Sequence, residues 1–118
     1  MQRKQPKSRC EKRKVGKADL PCKLYSPIMS RYLDVLDNDP SIASIQCNKL
    51  MEGLTLGDFT SDFFCVKTDG SYMVRECVDR RHLTKPQTVS MLDASRSFWH
   101  GRGVTDWGVV INKDGSDA

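Results

Sequence analysis

Two β-prone runs, Phe59 to Val66 and Tyr72 to Val78, are separated by Thr68-Asp69-Gly70, a turn short enough that the runs must pair back as an antiparallel hairpin. The rest of the chain has to be arranged around that hairpin. Upstream, Ser26-Pro27 supplies an N-cap serine and a proline at the first helical position, followed by Ile28, Met29, Tyr32, Leu33 and Leu36 at helical spacing. Asn38-Asp39-Pro40 stops that helix, because the residue before a proline is pushed out of the helical region. Ile42 to Met51 alternates weakly through Ile42, Ile45 and Cys47, and Gly53 and Gly57 interrupt before the hairpin begins. Downstream, Lys85-Pro86 opens a second helix carrying Val89, Leu92, Phe98 and Trp99, ended by Gly101 or Gly103. Val104 to Ile111 reads as a buried strand closed by Lys113-Asp114-Gly115. The expected order is α-β-β-β-α-β, an α/β fold with a mixed central sheet.

At 118 residues the chain accommodates one hydrophobic core and no second domain. No stretch approaches the roughly 18 uninterrupted apolar residues of a membrane span, and no apolar segment follows the opening MQRKQPKSR, so a soluble, unexported cytoplasmic protein with no membrane partner is expected. The formal net charge of +4 is unevenly spread. Residues 1–23 carry nine Lys or Arg against Glu11 and Asp19, which leaves the remainder net acidic. Those residues read as a basic, unstructured arm ahead of a folded domain at 24–118. Such an arm suits phosphate contacts through Arg3, Lys4, Lys7, Arg9, Lys12, Arg13, Lys14 and Lys17, with double-stranded DNA as the partner. No aromatic residue precedes Tyr25, so base stacking is not expected of the arm. Five cysteines, an odd count with no C-x-x-C spacing, point to reduced thiols rather than a disulfide framework or a zinc site.

Two carboxylates stand out because each lies inside an apolar strand. Asp62 is flanked by Phe59, Phe63 and Phe64, and Glu76 sits within Val74-Arg75-Glu76-Cys77-Val78. A buried carboxylate must be solvated, paired or ligated. The hairpin can bring the two side by side, where they repel unless a cation lies between them or one keeps its proton. Magnesium would serve, and so would ordinary salt bridges to Arg75, Arg80 or Arg81. Cys77 is expected to face away from Glu76, His82 to lie in a surface loop, and His100 to sit at a helix end. Trp99 and Trp107 are expected to be core contacts between the second helix and the last strand.

From about Tyr25 to Lys113 the sequence resembles the N-terminal domain of the TnsA family, transposon-encoded endonuclease subunits with a restriction-endonuclease-like, PD-(D/E)xK fold. The resemblance rests on Leu36-Asp37-Asn38-Asp39-Pro40 after a helix and a following Ser-Ile segment with Gln46. It continues through the Thr60-to-Phe63 strand, the Asp-Gly turn, the Val-x-Glu strand, the Lys-Pro helix start, and the Phe98-Trp99 helix end before Gly-Val-x-x-Trp-Gly. It implies metal-dependent cleavage of DNA at transposon ends, with magnesium or manganese held by Asp62 and Glu76, and partnership with other transposase subunits. It also implies two positions that this chain lacks. Val78 stands where the motif lysine belongs, and the acidic position on the first helix falls near Met29 or Ser30. Lys85 is taken as the catalytic substitute for that lysine, with Lys67, Arg75 and Arg80 as further candidates. Two readings follow, a TnsA-like endonuclease and a catalytically degenerate DNA-binding or transposition-complex scaffold.

Overall fold

The computed structural model describes the backbone of residues 2–3 and residues 10–54 and 59–112 in full. The elements run β1 (Gln2–Arg3), β2 (Glu11–Arg13), β3 (Cys22–Leu24), α1 (Pro27–Asp37), β4 (Ile42–Met51), β5 (Phe59–Lys67), β6 (Tyr72–Cys77), a 3-10 turn (Arg80–His82), α2 (Pro86–His100) and β7 (Asp106–Val110). The expected helix–three-strand–helix–strand order is therefore present, with two helices and with β4, β5, β6 and β7 as four strands of a mixed sheet to which the short β1 adds a fifth, against β5. The Gly57 interruption and the closing Lys113-Asp114-Gly115 turn lie outside the described residues.

Local chemistry sets the helix ends where the sequence put them. The Ser26 hydroxyl accepts from the Met29 N–H at the start of α1, Pro27 follows at the first helical position, and Asn38 closes the helix. Pro86 opens α2 and Gly101 ends it. Gly70 takes φ 86° in the hairpin turn, a left-handed conformation that glycine adopts without a side-chain clash.

The sheet is antiparallel from β4 through β5 to β6, then parallel from β6 to β7, with Met73 beside Asp106 and Cys77 beside Val110. The switch to a parallel neighbour follows from the crossover through α2, since a parallel strand cannot be reached by a tight turn. The α1 core gathers Ile28, Met29, Leu33 and Leu36 with Ile42, Ile45, Phe63, Cys65, Met73 and Cys77. A second core joins Trp99 of α2 to Met51, Phe59, Val74 and Val104, with Phe64, Phe98 and Trp107 packed against it.

The arm departs from expectation. Residues 10–23 are not loose chain: β2 and β3 pair as a two-stranded ribbon, and Ala18 and Cys22 are buried in the α1 core beside Leu24. The cause is an apolar set, Val15, Ala18, Cys22 and Leu24, too sparse to read as a strand pattern but sufficient to dock one side of the ribbon. The expectation of five reduced thiols is also corrected, since Cys22 of β3 is disulfide-bonded to Cys47 of β4. Cys10, Cys65 and Cys77 are the free thiols.

Candidate functional site

β5 is flanked on one side by β4 along its length. On the other side β6 pairs only with Phe63 to Val66, while β1 pairs with Phe59 and Thr60. Asp62 lies in the gap between those two paired stretches, and the Phe63–Arg75 partnership places Glu76 opposite it. Where a backbone ladder would have continued, the two carboxylates close the gap reciprocally. The Asp62 N–H donates to Glu76 Oε1 at 2.9 Å, and the Cys77 N–H donates to Asp62 Oδ2 at 2.7 Å. The second Glu76 oxygen accepts from the Ser95 hydroxyl of α2 at 2.6 Å, and that hydroxyl accepts in turn from the Trp107 indole N–H of β7 at 3.0 Å. Beside them the Trp99 indole N–H donates to Ser61 Oγ at 2.8 Å. The expected core role of both tryptophans is thus observed, each with a hydroxyl acceptor.

Asp62, Glu76, Ser61 and Ser95 are all 0% exposed. Burial pushes the Glu76 carboxyl above its ordinary range, and the negative charge of Asp62 adds to the rise, while the Ser95 hydroxyl and the Asp62 N–H act in the opposite direction.

The sequence expected these acids to converge, and they do. A hydrated cation would need them where solvent reaches, and both are fully buried. A divalent cation of the magnesium type keeps several waters and prefers octahedral oxygen ligation. Here Glu76 Oε1, Glu76 Oε2 and Asp62 Oδ2 already accept hydrogen bonds from protein groups, and no group of three or more His, Cys, Asp or Glu among the described residues could hold an ion. As arranged, the donor set fits a buried hydrogen-bonded couple and does not fit a hydrated magnesium or manganese ion.

Lys85, Lys67 and Arg75, three of the substitute cations, are placed elsewhere. Lys85 is exposed at the N-cap of α2, and its ammonium takes part in none of the hydrogen bonds just described for the pair. Lys67 and Arg75 both bind Asp106, at 2.5 and 2.7 Å, and Arg81 pairs with Asp79 at 2.9 Å. Val78, at the position of the absent lysine, donates its N–H to the Val110 carbonyl. At the first-helix position, Ser30 donates from its hydroxyl to Glu11 Oε1 at 3.1 Å. Cys77 packs in the α1 core while Glu76 binds α2, so the two point to opposite sides as expected.

Several arm cations turn inward. Arg13 donates to Asp34 Oδ1 at 2.8 Å and to the Ser30 carbonyl at 2.6 Å. Lys14 donates to the Ala18 carbonyl, and Lys17 to the carbonyls of Asp39 at 2.7 Å and Leu36 at 3.3 Å. Through these bonds the three side chains anchor the ribbon and the end of α1. Lys12 is exposed on β2. Lys4, Lys7, Arg9 and the side chain of Arg3 lie outside the described residues.

Sequence reasoning missed Ser61 and Ser95, which carry no motif and become polar anchors only because both tryptophans reach them. It also missed Asn48. That residue lies opposite Asp62, between the Cys47–Phe63 and Lys49–Ser61 partners, at φ 60°, a region asparagine tolerates better than most residues. Its side-chain amide accepts from the Lys23 N–H at 3.1 Å and donates to the Lys23 carbonyl at 3.0 Å. No protein-family model matches the chain, and no curated protein sequence matches it.

Proposed function

We propose that the chain is a TnsA-like domain on a restriction-endonuclease-like core, and that it binds double-stranded DNA at transposon ends, alongside other transposase subunits, without cutting DNA by itself. The strand order supports the first half of this reading, because an antiparallel three-strand meander followed by a helical crossover to a parallel fourth strand is the arrangement the resemblance implies. The observation that carries the second half is the state of the acid pair. Asp62 and Glu76 stand opposite one another, where the resemblance places nuclease acids, but both are fully buried and bound by backbone N–H groups and a serine. A phosphodiester cannot reach a carboxylate couple closed in this way. The hydroxide-generating chemistry of such enzymes needs an open metal position, and three of the carboxylate oxygens here already accept hydrogen bonds from protein groups, which supports the reading.

The second reading, metal-dependent cleavage by the same two residues, is favoured by their convergence on adjacent strands. One pair of assays separates the readings. Titration of the full chain onto labelled duplex should give salt-sensitive binding, and supercoiled plasmid incubated with magnesium or manganese should stay intact. Nicking that disappears in Asp62→Ala would establish the endonuclease reading instead. A chain that retains no duplex at low salt would overturn the DNA-binding reading.

A further inference from the structure

The β2–β3 ribbon has two unlike sides. The pairs Glu11–Leu24 and Arg13–Cys22 turn toward the body of the protein, through Glu11 to Ser30, Arg13 to Asp34, and Leu24 and Cys22 to the core. The pair between them, Lys12 and Lys23, points the other way, and both residues are exposed. Directly opposed side chains on antiparallel strands have Cβ atoms about 5 Å apart, and like charges so placed are destabilising. Neither ammonium makes an ion pair with a described residue, whereas on the same segment Arg13 pairs with Asp34 and Lys14 and Lys17 donate to backbone carbonyls.

The ribbon holds this unfavourable pair in a fixed place. The disulfide from Cys22 to Cys47 ties the residue next to Lys23 to β4, and the Asn48 amide clamps the Lys23 backbone through both its N–H and its carbonyl. A pre-ordered backbone lowers the entropy lost when its side chains engage a partner.

From this placement we infer that Lys12 and Lys23 form a two-lysine contact for the phosphodiester backbone of duplex DNA. The inference rests on the DNA-binding reading above and deepens it by naming the surface. Lysine ammonium groups act as point charges on phosphate oxygens, so the contact positions DNA without reading its sequence. The partner supplies the negative charge that the ribbon itself withholds.

The test is the salt dependence of duplex binding by the full chain. Each lysine that neutralises a phosphate contributes about 0.9 to the slope of log affinity against log salt concentration. Lys12→Gln with Lys23→Gln should therefore flatten the slope by about 2 and weaken binding alike on unrelated sequences. Lys12→Arg with Lys23→Arg should retain the wild-type slope, which separates lost charge from a disturbed ribbon. If wild-type chain binds duplex and the glutamine variant keeps the full slope, the inference is overturned and the DNA-binding reading stands. If wild-type chain binds no duplex, both are overturned.

Discussion

Ser95 shows how much one small side chain can hold. Its hydroxyl donates to Glu76 and accepts from Trp107, so α2, β6 and β7 meet at a single oxygen. Ser95→Ala removes that oxygen, leaves the Trp107 indole without its acceptor, and takes one donor from a buried carboxyl. The expected cost is about 2–3 kcal/mol, measured as a shift in the urea midpoint, whereas a loss below about 0.5 kcal/mol would mean that water replaces the hydroxyl. The thiols allow a second check at this scale. Burial pushes Cys65 up to about 12 and also raises Cys77, so neither is a thiolate near neutral pH. Brief iodoacetamide treatment of the native protein should label Cys10 and spare both, as read by peptide mass. The acids were legible in the sequence because a carboxylate among aromatic strand residues demands an explanation. Ser95 was not, because a serine on an amphipathic helix acquires its role only from what packs against it.

Elements whose limits are set by adjacent residues were the legible ones. Ser26-Pro27, Asn38 and Gly70 act within one turn of themselves, and α1 and the hairpin lie where those residues put them. The β2–β3 ribbon was hidden for the opposite reason. Its arginine and Lys17 look like solvated chain until the Ser30, Leu36 and Asp39 carbonyls are brought against them by distant segments. Its disulfide was hidden by an odd cysteine count, which gives no pairing on its own. The bond closes a separation of 25 residues and links β3 to β4. Removing it by Cys22→Ser with Cys47→Ser should cost about 3 kcal/mol, visible as a lower thermal midpoint. The ribbon should become the first site of limited proteolysis, around residues 14–21. Cleavage that begins instead in the hairpin turn would show that the ribbon is held by its core contacts alone. Lys17→Met probes the same anchoring by charge, and should lower stability by about 1 kcal/mol while leaving the salt slope of DNA binding unchanged.

Across the whole molecule, the last strand is the piece added from farthest away, and a three-membered charge cluster fastens it. Asp106 opens β7 and receives Lys67 from the end of β5 and Arg75 from β6, while Arg75 also donates to the Asp106 and Val74 carbonyls. The Lys67 hydrogen bond is the main reason the Asp106 carboxyl is held below its ordinary range, with Arg75 adding to the effect and partial burial opposing it. A carboxyl lowered in the folded state gives stability that is complete above its unfolded value, about 3.9, and is lost as pH falls through the folded value. Asp106 is about a third exposed, so solvent screening limits each ion pair to roughly 1 kcal/mol. Asp106→Asn should therefore cost about 1–2 kcal/mol at pH 7, with the difference from wild type shrinking steadily below pH 4. Urea titrations of both proteins at pH 7 and pH 3 measure it. A gap that persists undiminished at pH 3 would assign the loss to packing at the start of β7 and not to charge. The shrinking gap, in turn, would show that the parallel strand, which no local turn specifies, is secured to the meander by ionic contacts at its first residue.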